Sequence, residues 1–338
     1  MSRRTMTANA RKRLFVSASV AAGSLLLSAC GTNLPQNPLN PEGPYARRED
    51  SLFNWVFIIA VIVFFLVEGL LVYVLYRFRH RPGRAIPTQV HGNSRMEIAW
   101  TIAPAVLLAA IAVPTIVTIF SLAGRPAGAM DIRVVGHQWW WQAEYPSSRV
   151  VTANEIHIPT GRPVVFSITS NDVIHSFWVP KLAGKQDLEP GRTNHILMQA
   201  DRPGVYLGQC AEYCGLSHAN MRLRVIADRP ADFQAWLSSQ QRAAGQPPAA
   251  ALQALQNHGC GGCHTINGVQ GLVGTIGPNL THFGARKTLA GAILDNTPEQ
   301  LAMWLRNPPA VKPGADMPNL HLRPDEIRAL VAYLQSLK

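Results

Sequence analysis

Charge is scarce in this sequence. Only 15% of the 338 residues are Asp, Glu, Lys or Arg, well under the ~25% usual for soluble domains. Together with a 47% hydrophobic content, this points to membrane segments. Acids are scarcer than bases, 20 against 31, for a net charge of +11. Such a balance often marks a nucleic-acid binder. Here, however, many of the cations sit in the N-terminal tail and around residues 77–95, beside apolar runs. That is where membrane topology signals fall, so no nucleic-acid partner is expected. Cysteine is scarce too: Cys30, Cys210, Cys214, Cys260 and Cys263. An odd count excludes a fully paired disulfide framework. No internal repeat is visible.

What is present divides into blocks. Residues 1–29 have a basic stretch, an apolar stretch and small residues, the order of a secretory signal. "LSAC" at 27–30 resembles a bacterial lipobox, with Cys30 as the lipidated residue. Residues 30–50 are rich in Pro, Asn and Gly and read as a linker. Within 51–124, two apolar runs at 52–78 and 98–120 are each long enough to cross a bilayer. Between them lie Arg77, Arg79, Arg81, Arg84 and Arg95, which puts the loop in the cytoplasm and both flanks outside. The expected location is a bacterial plasma membrane, multi-pass, with the later domains on the outer, periplasmic side.

From 125 to 228 the texture is short β-branched and aromatic runs between Pro and Gly turns, the pattern of a small antiparallel sandwich or barrel. Residues 229–250 read as a short helix and an Ala/Pro-rich linker. From 251 to 338 helical patterns return, with Thr297 a candidate N-cap ahead of Pro298 and Gln300.

The segment "GQCAEYCGLSHANM" (208–221) gathers Cys210, Cys214, His218 and Met221. On a helix these would form a buried stripe, but Gly208 and Gly215 favour a loop after the strand "GVYLG". A disulfide would explain only the cysteines. Thiolate, thioether and imidazole together suit copper. A single blue-copper site wants one Cys; two call for a pair of coppers sharing thiolates. A second histidine is supplied by His175 in "NDVIHSFWVP".

"CGGCH" at 260–264 is a c-type haem attachment motif. Cys260 and Cys263 would carry the thioethers and His264 the iron. Zinc would need further ligands, and no cysteine remains for it. A thioredoxin-like redox motif would lack the following His. Met317, in the Pro/Gly loop "KPGADMPNL", is the preferred distal ligand, ahead of Met303, His282 and His321.

Cys-x-Glu-x-Cys-x-x-x-His-x-x-Met after a distant "HSFWVP" resembles the binuclear copper (CuA) site of cytochrome c oxidase subunit II. "GHQWWWQAEY" (136–145) resembles that family's aromatic run, and "GPNL" (277–280) the cytochrome c loop beside the proximal His. The resemblance implies a multidomain membrane protein. Its parts would be a two-helix transmembrane hairpin, an all-β cupredoxin-like Greek-key domain and an all-α class I cytochrome c domain. In the metal site, Cys210 and Cys214 would bridge two coppers and His175 and His218 would each bind one. Met221 and the Glu212 carbonyl would be weak ligands. The Glu212 carboxylate would reach a magnesium ion shared with subunit I.

Trp139 matches the residue through which electrons arrive from cytochrome c, while Trp140 and Trp141 read as packing. Glu97 matches an acidic residue near a proton-uptake entrance; a plain interfacial carboxylate is the alternative. Glu68, inside the first span, reads as facing a partner helix. Implied partners are subunit I, subunit III, a soluble or membrane-bound cytochrome c or a cytochrome bc complex as donor, and the lipid bilayer. Electrons would pass from haem c through CuA to the haem of subunit I. Oxygen chemistry would reside in subunit I, because this chain lacks histidine-rich membrane helices. A copper chaperone of the Sco type, the quinol-oxidase form and a nitric oxide reductase subunit are the rival readings.

Overall fold

The computed structural model describes residues 34–83 and 88–338. The expected leader, Cys30 and Arg84 lie outside them.

Two long helices come first. α1 (Pro44–Arg77) opens with Pro in its first turn, where a missing N–H costs no hydrogen bond. α2 (Ser94–Ala123) is capped by Asn93, whose side chain accepts from the N–H groups of Arg95 (3.2 Å) and Met96 (3.3 Å). α1 starts eight residues before the apolar run read from the sequence, roughly two turns. Pro104 and Pro114 lie inside α2. No residue of α2 is buried, an exposure of apolar surface that suits lipid rather than water. Among the described residues there are two such spans, so the expected multi-pass anchor is corrected to a two-pass hairpin.

The hairpin is fastened to the next domain. Tyr45 and Ala46 are buried, and Tyr45 packs with Val165 and Leu197. The Glu42 N–H donates to the Lys181 carbonyl at 2.8 Å, and Arg47 pairs with Asp201. Arg125, just past α2, makes a two-pronged bond to Asp131 at 2.7 and 2.8 Å.

That domain is a two-sheet sandwich. One sheet runs β3-β2-β1-β5-β8 and the other β4-β10-β9-β6-β7. The strands are β1 Met130–His137, β2 Trp140–Tyr145, β3 Val150–Ala153, β4 Glu155–Pro159, β5 Val164–Ser170, β6 His175–Trp178, β7 Lys185–Leu188, β8 Asn194–Met198, β9 Gly204–Cys210 and β10 Arg222–Asp228. Alternation sorts the side chains: Trp141, Ala143 and Tyr145 of β2 point inward, as do Leu223, Val225 and Ala227 of β10. With Ile132, Phe166, Ile168 and Phe177 they form one core, each large side chain contributing roughly 1.5–3 kcal/mol.

The expectation of an antiparallel sandwich is corrected in one respect. β1 pairs with β5 in parallel and β4 with β10 in parallel. Those contacts join strands far apart in sequence, which a local turn pattern does not reveal.

α3 (Pro230–Gln240) closes the sandwich, with Phe233 and Trp236 packed against Tyr145. The C-terminal domain has α4 (Ala249–Asn257), α5 (Pro298–Arg306), α6 (Pro308–Val311) and α7 (Pro324–Ser336). Thr297 caps α5 by accepting from the Gln300 N–H at 3.3 Å. Leu255, Leu301, Leu305, Leu330 and Leu334 share its core. This domain is helical apart from a two-residue ladder of β11 (Thr288–Leu289) with β12 (Leu294–Asp295), which helical periodicity does not foretell.

Candidate metal centre and haem site

Strand pairing builds the first site. β9 ends on Cys210, opposite Phe177 of β6, two residues from His175. The Cys210 N–H donates to the Met221 carbonyl at 2.9 Å, and the Ala211 N–H to the Ser176 carbonyl at 3.0 Å. The chain between them is thus closed into a loop. A single turn at His218–Asn220 follows, in place of a helix through the whole segment.

The donors converge. The sulfurs of Cys210 and Cys214 lie 3.7 Å apart, far beyond the ~2.05 Å of a disulfide. His175 Nδ1 is 3.9 Å from the Cys210 sulfur, and His218 Nδ1 is 3.6 Å from that of Cys214. Met221 Sδ is 3.9 Å from the Cys214 sulfur, and the Glu212 carbonyl oxygen is 3.2 Å from that of Cys210. His175, Cys210, Cys214 and Met221 are buried. Two central sulfurs with two imidazoles, a thioether and a carbonyl around them form a soft donor set that suits copper.

Asp172 supports this set. Its carboxylate accepts from His175 Nε2 at 2.8 Å and from the backbone N–H of Gln138 at 2.7 Å. Nδ1 of His175 is thereby left facing the sulfurs, the usual way an outer carboxylate orients a ligating imidazole. Burial opposes charge on His175, but Asp172 and Cys210 outweigh it and its pKa is raised. Hydrogen bonding from the Cys214 S–H lowers the pKa of Cys210, and Cys214 is raised in return.

The second site is a cavity of about 410 Å³. Cys260, Cys263, His264 and Met317 all line it. His264 Nδ1 donates to the Pro278 carbonyl at 2.8 Å, which leaves Nε2 for a metal. Burial holds this imidazole below its ordinary pKa, in the neutral form a ligand needs. A Cβ at Gly277 would come within 2.6 Å of the ring, so the loop can close only over glycine. The guanidinium of Arg286 also lines the cavity, and its Nε is buried without a partner. Its Nη2 donates to the Asn279 carbonyl, and the free Nε donor of this cation suits a carboxylate of a haem.

The other distal candidates fall elsewhere. His282 lies 2.9 Å from the Lys338 carbonyl oxygen through Nδ1 and 3.1 Å from the Gln240 and Arg242 carbonyls through Nε2. Met303 and His321 are exposed and do not line the cavity.

Trp139 sits at the tip of the β1–β2 hairpin, between the two sites. Its Nε1 donates to the Cys214 carbonyl at 3.1 Å, and its ring lines the cavity wall. It is 9% exposed. Trp141 is fully buried, while Trp140 stacks on His137 at 4.3 Å and also lines the cavity. Glu212 is exposed, beside the exposed Tyr213. Glu97 sits in the first turn of α2, where its carboxylate accepts from the Asn93 N–H at 3.3 Å. Glu68 is exposed within α1. The sequence reading did not single out Asp172, Arg286 or Lys312. Asp172 and Lys312 stand inside the segments "NDVIHSFWVP" and "KPGADMPNL", but nothing in those patterns assigned either a role.

A two-span anchor, a sulfur-centred donor set and a CxxCH cavity define a membrane-bound redox subunit. Residues 40–117 match the family described as cytochrome c oxidase subunit II, transmembrane domain. Residues 148–227 match its periplasmic domain, and residues 249–338 match cytochrome c. Cytochrome c oxidase subunit 2 of Alkalihalophilus pseudofirmus is 37% identical over 93% of this chain and 94% of its own length. The same-named protein of Bacillus sp. is also 37% identical, over 93% and 95%. The solved periplasmic domain of subunit II of cytochrome oxidase (CoxB) of Bradyrhizobium japonicum is 28% identical. It covers 34% of this chain and 96% of its own, with a TM-score of 0.34.

The chain belongs to the cytochrome c oxidase subunit II family, with a cytochrome c domain joined at its C-terminus. Such a subunit is part of a cytochrome c oxidase, with an electron-transfer role and a place in a complex with subunit I.

Proposed function

We propose that Cys210, Cys214, His175, His218, Met221 and the Glu212 carbonyl hold a CuA pair. We further propose that Cys260, Cys263, His264 and Met317 hold a haem c. When bound, these groups supply one-electron redox chemistry that relays charge from haem c toward subunit I. The carrying observation is the position of Trp139: one indole touches the copper loop through the Cys214 carbonyl and also walls the haem cavity.

The protein's part is to hold and exclude. Burial of Cys210 and Cys214 keeps water away from their sulfurs, and Asp172 fixes one imidazole. The Pro278 carbonyl fixes the other proximal ring, that of His264. A loop locked at both ends limits movement of the donors, which suits a centre that must change charge without changing shape.

Exposed Glu212 and Tyr213 suit contact with subunit I, where the Glu212 carboxylate would help hold magnesium. Subunit III, a cytochrome c or bc-type donor, and an orientation with both redox domains outside the plasma membrane complete the assignment. Glu97 remains a candidate at a proton-uptake entrance. The test is electron paramagnetic resonance of the copper-loaded chain. A mixed-valence signal shared by two coppers supports the assignment, and a single-copper signal refutes it.

A further inference from the structure

The two redox domains are joined by more than their linker. Glu155 of the sandwich is buried, and its carboxylate accepts from the Lys287 N–H at 3.0 Å and from the Thr288 hydroxyl at 2.5 Å. The Arg222 N–H donates to the Gly291 carbonyl at 3.1 Å, and Ser217 Oγ donates to the Pro313 carbonyl. The haem domain therefore rests on the copper loop itself.

At the centre of this contact is Lys312. It lies in the segment before Met317, is 4% exposed, and lines the haem cavity. Its Nζ donates to the Trp139 carbonyl at 2.5 Å and to the Ala290 carbonyl at 3.1 Å. The first acceptor belongs to the copper domain and the second to the haem domain. The surroundings are cut to fit. Gly291 has φ +82°, and a Cβ there would lie 2.5 Å from Nζ and 3.1 Å from the Trp139 oxygen. A Cβ at Gly314 would lie 2.9 Å from the Trp139 ring.

Burying an amine is costly, whereas an apolar side chain could fill the same space. Packing alone does not explain a lysine here; two carbonyls from two domains do. We propose that Lys312 is the positioning residue that pins the haem domain to the backbone of Trp139 and so fixes the arrangement of the two redox sites. The proposal rests on the haem and CuA assignment above. Lys312 acts through Trp139 and need not touch either metal. It also implies that the fused domain stays docked rather than swinging on its linker.

The test uses the assembled oxidase carrying Lys312→Met. After rapid reduction of haem c, electron arrival at copper is expected to be about tenfold slower, because a displacement of roughly an ångström between reacting partners costs on the order of 10- to 100-fold. The haem and copper spectra should be unchanged, since Lys312 is assigned as a ligand of neither metal. An unchanged transfer rate with both spectra intact overturns the proposal. Absence of either spectrum from the unaltered oxidase would instead overturn the cofactor assignment.

A second measurement needs no variant. The unaltered oxidase is treated with an acylating reagent and its peptides are weighed. Lys312 should stay unmodified while the exposed Lys185 and Lys287 react. Labelling of Lys312 at the rate of Lys287 would show that the domain leaves its seat, and would overturn the proposal even if Lys312→Met does not assemble.

Discussion

The indole nitrogen of Trp139 donates to the carbonyl oxygen of Cys214 at 3.1 Å. A residue from the tip of the β1–β2 hairpin is thereby tied to a bridging-thiolate candidate 75 positions later. In this chain the fused domain lies over that tryptophan, with Gly314 against its ring. A soluble donor would therefore meet the haem domain first.

Trp139→Phe keeps a ring in place but removes the donor to Cys214. Electron transfer between the two sites, followed by rapid-mixing spectroscopy, should slow while the KM for a soluble donor stays the same. A rise in KM with no change in the internal rate would place Trp139 in donor docking instead.

Asp172→Asn removes the carboxylate that orients His175. Copper affinity, measured by competition with a chelator, should fall by about 10- to 100-fold, the usual cost of losing such an outer partner. The haem spectrum should not change. Equal copper affinity would mean that the strand alone sets the imidazole.

Met317→Ala removes the thioether that lines the cavity with His264. The haem midpoint potential should drop, because a Met ligand raises it. An unchanged potential would move the distal ligand elsewhere. His282 is a poor substitute, since both its ring nitrogens already face carbonyls.

Arg286→Leu deletes the cation whose Nε has no protein partner. The haem potential should fall, because a buried positive charge favours the reduced, less positive iron. Burial already lowers this guanidinium to a pKa of about 10, so it remains charged at neutral pH. A potential that does not move would mean that the guanidinium does not face the haem.

The reach of the sequence is clearest at the copper loop. Cys210, Cys214, His218 and Met221 lie within twelve positions, so their chemistry shows in a single line of text. His175 was legible only through "HSFWVP", because strand pairing, not spacing, brings it to Cys210. Met317 stood out from Met303 by its Pro/Gly loop, and it lines the cavity whereas Met303 does not.

Lys312 and Glu155 were not legible. Their partners lie 173 and 132 residues away, across an interface that no local pattern encodes. The parallel pairing of β1 with β5 escaped for the same reason.

The most direct measurement is the metal content of the full chain, purified without its partner subunits after haem maturation and copper loading. Two coppers and one haem iron per chain are expected, with Cys214→Ser losing the mixed-valence copper spectrum and keeping that of the haem. One copper per chain, or a covalent bond between Cys210 and Cys214 in the loaded protein, would contradict the account.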